Sequence, residues 1–327
     1  MKAIVQDRYG PTETLTLADV DTPVPAADEV RVRVEAAALN AYDWHAMRGD
    51  PRIARLAMGR SRPRARIRGR DFAGRVEAVG ADVRQVRPGD AVFGDLGDAN
   101  GAFAEYVCVP ESLVAPKPAN LTSQQAAALP LAGVTALMGL CDVGRVQPGH
   151  SVLVNGASGG VGTLAVQLAT ALGATVTGVC STRNVDLVRS LGADHVVDYT
   201  RDDFTRHARR HDVVLDLVGN RSLTALRRAL SPTGTLILSG GGVYRGGSLL
   251  GPVRLIARGR LLAPFVRQRI AILETAPSRR HLDTLRAHAE DGRLTPVIDR
   301  TYPLHEVPRA IRYLEEEHAR AKVVITI

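Results

Sequence analysis

The chain has 327 residues, 45% hydrophobic and only 4% aromatic, with a formal net charge of +8. That length favours about two domains, and the composition is ordinary for a soluble globular protein whose core rests on Ala, Val and Leu. Cys108, Cys141 and Cys180 are scattered without a C-x-x-C pair, which excludes a disulfide framework and a cysteine zinc site and points to a reducing, cytoplasmic setting. The first residues, MKAIVQDRYG, carry no apolar signal core. No run of about 18 apolar residues is present to cross a membrane. Only three of the 42 basic residues are lysine, so the basicity fits an arginine-skewed composition and is a weak clue to a nucleic acid or membrane partner.

Residues 1 to 122 read as strand-rich. Val30, Val32 and Val34 alternate with Arg31, Arg33 and Glu35, the period of a half-buried strand. Gly74–Gly80, Ala91–Phe93 and Gly101–Val107 repeat the pattern, with a turn at Arg87–Asp90. Pro116 and Pro118 mark a linker. From 123 to 275 the rhythm becomes strand then helix. Strands are expected at Ser151–Asn155, Thr175–Cys180, His195–Tyr199, Asp212–Val218 and Thr235–Ser239, and helices at Asn184–Leu191, Asp202–Arg209 and Ser222–Leu230. Such alternation builds a doubly wound parallel sheet. The tail, 276–327, reads as a helix capped by Ser278, a strand at Thr295–Tyr302, a helix at His305–Glu317 and a strand at Lys322–Ile327. It is expected to return to the first domain.

The stretch Ser151–Leu172 is the most informative. A short apolar strand ends in Ala157-Ser158-Gly159-Gly160-Val161-Gly162, and Val161, Leu164, Ala165, Leu168, Ala169 and Leu172 then recur at helical spacing. Strand, glycine turn and helix form the context in which an A-x-G-x-x-G string reads as a dinucleotide site. Gly159 leaves room for a pyrophosphate, Gly162 allows close packing, and the helix N-terminus offers free N–H groups. NAD-selective folds place an acid about 20 residues beyond the glycines. Here no Asp or Glu lies between Gly162 and Val185, and Ser181, Thr182 and Arg183 stand there instead. Two hydroxyls and a guanidinium suit a 2′-phosphate, so NADPH is the expected cofactor, with Ser181 and Arg183 as its contacts.

Across its full length the chain resembles the medium-chain dehydrogenase/reductase superfamily, in particular its zinc-independent quinone oxidoreductase branch, the zeta-crystallin-like proteins. The resemblance is carried by Leu39-Asn40-Ala41-Tyr42-Asp43, Gly69–Gly74, Pro88-Gly89-Asp90, Gly101–Tyr106, Leu131–Ala136, Gly156–Gly162, Leu191–Asp194 and Lys322-Val323-Val324, in that order. It implies an α/β fold: a doubly wound Rossmann domain at 123–275, and a strand-rich GroES-like catalytic domain built from 1–122 and 276–327. It also locates the zinc-ligand positions of the superfamily's alcohol dehydrogenases, and here they are Asn40, Arg70 and Leu131. Zinc needs thiolate, imidazole or carboxylate in a tetrahedral set, so no metal is expected. His45 lies close by in sequence but is a lone His.

Without a metal, an alkoxide lacks a Lewis acid. The expected substrates are a quinone or an activated enone, which delocalise the arriving charge. The resemblance places Asn40 and Tyr42 beside the nicotinamide as hydrogen-bond donors, with Asp43 as their structural partner. It further implies Tyr199 near the 2′-phosphate, Thr135 and Gly240 along the cofactor, and Lys322 near the site. Pairing through the edge of the nucleotide-binding sheet, near Gly234–Gly240, is expected to give a homodimer.

Two stretches depart from the family pattern. Arg60, Arg62, Arg64, Arg66, Arg68 and Arg70 alternate, and an extended segment would point all six one way. An anion funnel and nucleic acid binding compete there with a solvated loop. No aromatic residue interleaves the arginines, so nucleic acid is not the expected partner. Tyr244–Arg269 is basic and apolar together, which suits a substrate cover, a peripheral membrane contact or a buried helix with outward arginines. The rival functions are an enoyl-thioester reductase and a catalytically weak NADPH-binding protein that binds RNA.

Overall fold

The structure, a computed structural model, describes residues 1–239, 253–317 and 319–327. It divides into two compact units, one of Met1–Val134 with Ala276–Ile327, the other of Thr135–Thr275. The first unit opens with an antiparallel pair, β1 (Lys2–Gln6) and β2 (Leu15–Asp19). Its main strands are β3 (Glu29–Ala38), β4 (Asp71–Val79), β5 (Ala91–Asp95), β6 (Tyr106–Pro110) and β7 (Val114–Pro116). Strand β3 is the spine of this unit. Val30, Val32 and Val34 are buried, as the period-two alternation requires, and the strand's end, Ala36–Ala38, is buried on both faces.

The second unit contributes β8 (Ser151–Asn155), β9 (Thr175–Cys180), β10 (His195–Asp198), β11 (His211–Asp216), β12 (Leu230–Leu238) and β13 (Arg269–Ile272). These six strands run in the order β10-β9-β8-β11-β12-β13, and all pairings are parallel. This is the doubly wound Rossmann order. Leu153, Val179, Val214, Leu236 and Phe204 meet in one buried cluster. Both faces of such a sheet are covered, so its strands are apolar on both sides rather than alternating.

The chain then returns to the first unit with β14 (Ile298–Pro303) and β15 (Lys322–Thr326). Strand β15 pairs antiparallel with the end of β3, Val324 opposite Ala38. That register brings Lys322 to the end of β3 from which Asn40 leaves. The sheet order is β14-β15-β3-β4-β5-β7, with β6 on the first half of β3. The change of rhythm near 122 does not coincide with the division between units at Val134. The short helix Ser123–Ala127 packs on β3 and β4, and so stays with the first unit.

Three expectations are corrected. The helix expected at Asp202–Arg209 is only a single turn of 3-10 helix, Phe204–Arg206. The Asp203 carboxylate accepts from the N–H and hydroxyl of Thr205, and His207 pairs with Asp202 at 2.6 Å. Such local bonds compete with a helical ladder. Among the described residues the sheet ends at β10 and β13, so Gly234, on β12, lies near an edge but one strand inside it. The arginine segment does not turn six side chains outward. Arg60, Arg62, Arg64 and Arg66 are exposed, but Arg68 and Arg70 are buried. Arg68 donates to Gln6 Oε1 at 2.7 Å, and Arg70 pairs with Asp95. The outward arginines Arg62, Arg64 and Arg66 border a pocket of about 440 Å³ with Gln6, Asp7 and Pro63. Residues 240–252 of the second departing stretch lie outside the described residues. Beyond them Val253–Leu262 is a helix whose Leu255 and Leu262 pack on the core, while Leu261 and Phe265 stand exposed. No helix among the described residues is long and apolar enough to cross a membrane.

Candidate active site

In the second unit the glycine turn follows β8. Gly156 has φ +91°, a left-handed conformation that suits glycine. A Cβ on Gly162 would lie 2.1 Å from the Gly156 carbonyl oxygen, so glycine is obligatory where the helix crosses the turn. A Cβ on Gly178 would lie 2.4 Å from Val188 Cγ1. Gly159 differs: its Cβ would meet nothing closer than 3.5 Å. The helix Gly160–Ala171 starts there with no side-chain cap. Its first N–H groups therefore lack a side-chain cap, and the helix begins after β8, beside the switch in strand order between β8 and β11, where doubly wound folds bind ligands. Gly160, Val161 and Gly162 are the first residues of that helix. The turn fits the phosphates of a dinucleotide.

At the switch point Asn155 donates to Asp216 Oδ1 at 2.8 Å and to Asn220 Oδ1 at 3.1 Å. Asp216 Oδ1 also accepts from the N–H groups of Val218 and Gly219. Neither Asn155 nor Asp216 was singled out in the sequence. The signal was present, since each is the polar last residue of an apolar strand.

One strand over, Ser181 follows β9. Asn184, 4% exposed, donates through Nδ2 to Ser158 Oγ and to Ser181 Oγ, each at 3.1 Å. Ser158 and Ser181 are thereby brought together. Arg183 is exposed on the same turn. Tyr199, 47% exposed, is tied by its N–H to the Cys180 carbonyl at 3.0 Å. Asp198 is an acid that a count along the chain overlooks, because it arrives from the neighbouring strand in register with Cys180. Its oxygens accept from the hydroxyls of Thr182 at 2.6 Å and Thr200 at 2.7 Å, and Arg201 lies 3.6 Å away. These bonds hold Asp198 Oδ1 and Oδ2 within the turn. Thr135 is buried where the second unit begins. Gly240 lies outside the described residues.

The first unit assembles a buried polar cluster. Asn40 caps the helix Ala41–Arg48, and its N–H donates to Asp43 Oδ2 at 2.7 Å. Lys322 Nζ donates to Asn40 Oδ1 at 2.6 Å, and Asn40 Nδ2 donates to Asp71 Oδ2 at 3.0 Å. Asp71 also accepts from the Leu131 N–H at 3.0 Å and lies 3.4 Å from Lys322 Nζ. Lys322 is thus held within the first unit, against Asn40 and Asp71. Arg70, next to Asp71 in the chain, forms a two-pronged pair with Asp95 at 2.9 and 2.8 Å. The three positions matched to zinc ligands, Asn40, Arg70 and Leu131, therefore gather at Asp71. They offer an amide, a guanidinium and an isobutyl group, none suited to zinc. Two buried cations, Lys322 and Arg70, supply positive charge there.

Burial pushes the Asp43 carboxyl up to about 7, helped by the charge of Asp71, and pushes Asp71 up to about 6 against the pull of Lys322. Asp43 Oδ1 is buried without a hydrogen-bond partner, which suits a neutral acid. Tyr42 lies with its ring 5.0 Å from the Arg70 guanidinium, and burial raises its phenol above the ordinary value of 10.0. It is therefore a neutral O–H donor at physiological pH. His45 stacks on Trp44 with ring centroids 3.6 Å apart, and burial lowers it to about 4, so it is neutral. Among the described residues no group of three or more His, Cys, Asp or Glu is placed to hold a metal ion.

Two family models match the chain: an alcohol dehydrogenase GroES-like domain over residues 26–119, and a zinc-binding dehydrogenase over residues 191–325. A chloroplastic quinone-oxidoreductase, QR1, of Triphysaria versicolor is 31% identical over 99% of this chain and 98% of its own length. The chain belongs to the medium-chain dehydrogenase/reductase superfamily, in its quinone oxidoreductase branch. Members of this superfamily are oxidoreductases. The 2-methylene-furan-3-one reductase of Solanum lycopersicum is 35% identical over 99% of this chain and 79% of its own length. The solved quinone oxidoreductase of Coxiella burnetii superposes with a TM-score of 0.85 at 31% identity, covering 100% of this chain and 99% of that one.

Proposed function

We propose that the chain is a zinc-independent reductase that uses NADPH to reduce a quinone or an activated enone. The observation that carries this reading is the cluster at Asp71. The positions that hold zinc in metal-dependent relatives carry Asn40, Arg70 and Leu131, and their polar groups are already engaged with buried carboxylates and Lys322. The quinone-oxidoreductase and furanone-reductase names of its relatives agree with an acceptor that spreads negative charge.

The chain's own residues divide the work. The glycine turn and the uncapped helix at Gly160 would hold the phosphates, and Ser158, Ser181, Arg183 and Tyr199 would bind the 2′-phosphate. When bound, the nicotinamide supplies a hydride, two electrons with one proton. An enone takes the hydride at its β-carbon, the electrons of the double bond move to the carbonyl oxygen, and solvent supplies the balancing proton. Tyr42 is the donor assigned to the developing charge, since burial keeps its phenol protonated. The Asn40 amide is engaged at both ends, so it positions the entry of the helix that carries Tyr42. The remaining catalysis is proximity.

NADPH oxidation by the purified protein, with a simple quinone and an enone as acceptors, tests this reading. Turnover with both, NADPH bound more tightly than NADH, and full activity after chelation are the expected results. Activity that appears only on adding zinc would overturn it.

A further inference from the structure

In the second unit a buried amide joins the glycine loop to the end of β9. Asn184 is buried behind the turn, and its single Nδ2 group reaches both Ser158 Oγ, from the glycine loop, and Ser181 Oγ, from the end of β9. Its Oδ1 is buried with no partner. A hydroxyl oxygen accepts through its lone pairs and has one proton to give. When an amide N–H occupies the lone-pair side, that proton must find an acceptor elsewhere. Among the described residues neither serine has one, since each side chain's recorded bond is the one it accepts from Asn184. Two hydroxyl protons are thus left to donate, one on each of two loops that Asn184 holds together and that the proposed function assigns to phosphate.

We infer that Asn184 is a positioning residue for phosphate recognition. By donating to both serine oxygens it keeps the Ser158 and Ser181 protons available to the 2′-phosphate of NADPH, and it ties the glycine loop to the β9 turn. This inference rests on the NADPH reading. It adds a specific requirement: the group behind the serines must donate. An acceptor in its place would draw both protons inward and leave oxygen lone pairs facing an anion. The neighbouring acid is prevented from doing this, because Asp198 is occupied by Thr182, Thr200 and Arg201.

Asn184→Asp changes a donor into an acceptor at constant shape. Binding of NADPH and NADH is read by fluorescence titration, with the melting temperature of the free protein as a check on folding. In the parent, Ser181→Ala should weaken NADPH about tenfold, the cost of one hydrogen bond to a charged group, and leave NADH within about twofold. In the Asn184→Asp background the same change should cost NADPH less than about twofold, because the hydroxyl no longer donates to the phosphate. A tenfold Ser181 loss that persists in that background, in a protein whose parent prefers NADPH, would overturn the role of Asn184 alone. Equal affinity of the parent for the two nucleotides would instead overturn the NADPH reading beneath it. If Asn184→Asp does not fold, Asn184→Ala replaces it. That variant frees both hydroxyls to rotate, and should weaken NADPH about fivefold with NADH unchanged; equal losses for the two would mean a purely structural role.

Discussion

At the scale of single residues, the buried cluster sets a pH dependence with a definite sign. A carboxyl near 3.8 when unfolded and about 7 when folded binds its proton more tightly in the native state. The stability it contributes is complete below pH 3.8 and is lost as pH rises toward 7. Asp43→Asn removes this titration while keeping the shape. Urea denaturation of the parent should show stability falling between about pH 4 and 7, and the variant should show a flatter profile over that interval. Identical slopes would mean that Asp43 does not titrate there. Tyr42 belongs to the same scale. Removing a donor aimed at developing charge costs about 10²–10³-fold in turnover. Tyr42→Phe should therefore cut enone reduction by about a hundredfold, and reduction of a strongly electrophilic quinone much less, because the quinone ring delocalises its own charge. NADPH affinity should not change. Equal small losses on every acceptor would assign the site to proximity alone.

At the scale of elements, the two glycines of the phosphate turn separate folding from binding. Gly162 has the Gly156 carbonyl 2.1 Å from where a Cβ would stand, and a Cβ on Gly159 would meet the same oxygen only at an ordinary 3.5 Å. Gly162→Ala must push the helix Gly160–Ala171 off the turn, and should lower stability by about 1–3 kcal/mol, the usual range for overpacking. Gly159→Ala, at an ordinary φ of −82°, should melt like the parent. The methyl would nevertheless occupy the space proposed for the pyrophosphate, so NADPH affinity should fall at least tenfold by titration. A Gly159→Ala protein that binds NADPH normally would remove the turn from the cofactor site. Association also belongs here. Among the described residues strand β13 has one edge of its backbone unpaired in the sheet, and an open edge is a template for a second copy. We expect a homodimer, with a mass by light scattering twice the 35.0 kDa of the chain at micromolar concentration. A monomer mass would refute it.

For the whole molecule, the sequence alone determined whatever depends on local period and steric demand. Alternating valines mark β3, the five strands β8–β12 fall near their expected places, and the glycine turn could be read because Gly156 and Gly162 have no room for a side chain. It also determined which ligand types are missing at Asn40, Arg70 and Leu131. Tertiary structure decided what depends on residues far apart in the chain. Lys322 and Asn40 are separated by 282 positions and meet at 2.6 Å only because β15 pairs with the end of β3. Asp198 reaches Thr182 from a neighbouring strand, so a count of residues beyond the glycines could not find it. Asn184 showed no sign of its role, because an asparagine before a helix reads as an ordinary cap, and only the packing of two loops places its amide between two serines. The arginine alternation misled for a related reason. Period two describes an extended backbone, but buried acceptors decide which side chains turn inward, and Gln6 and Asp95 draw in Arg68 and Arg70.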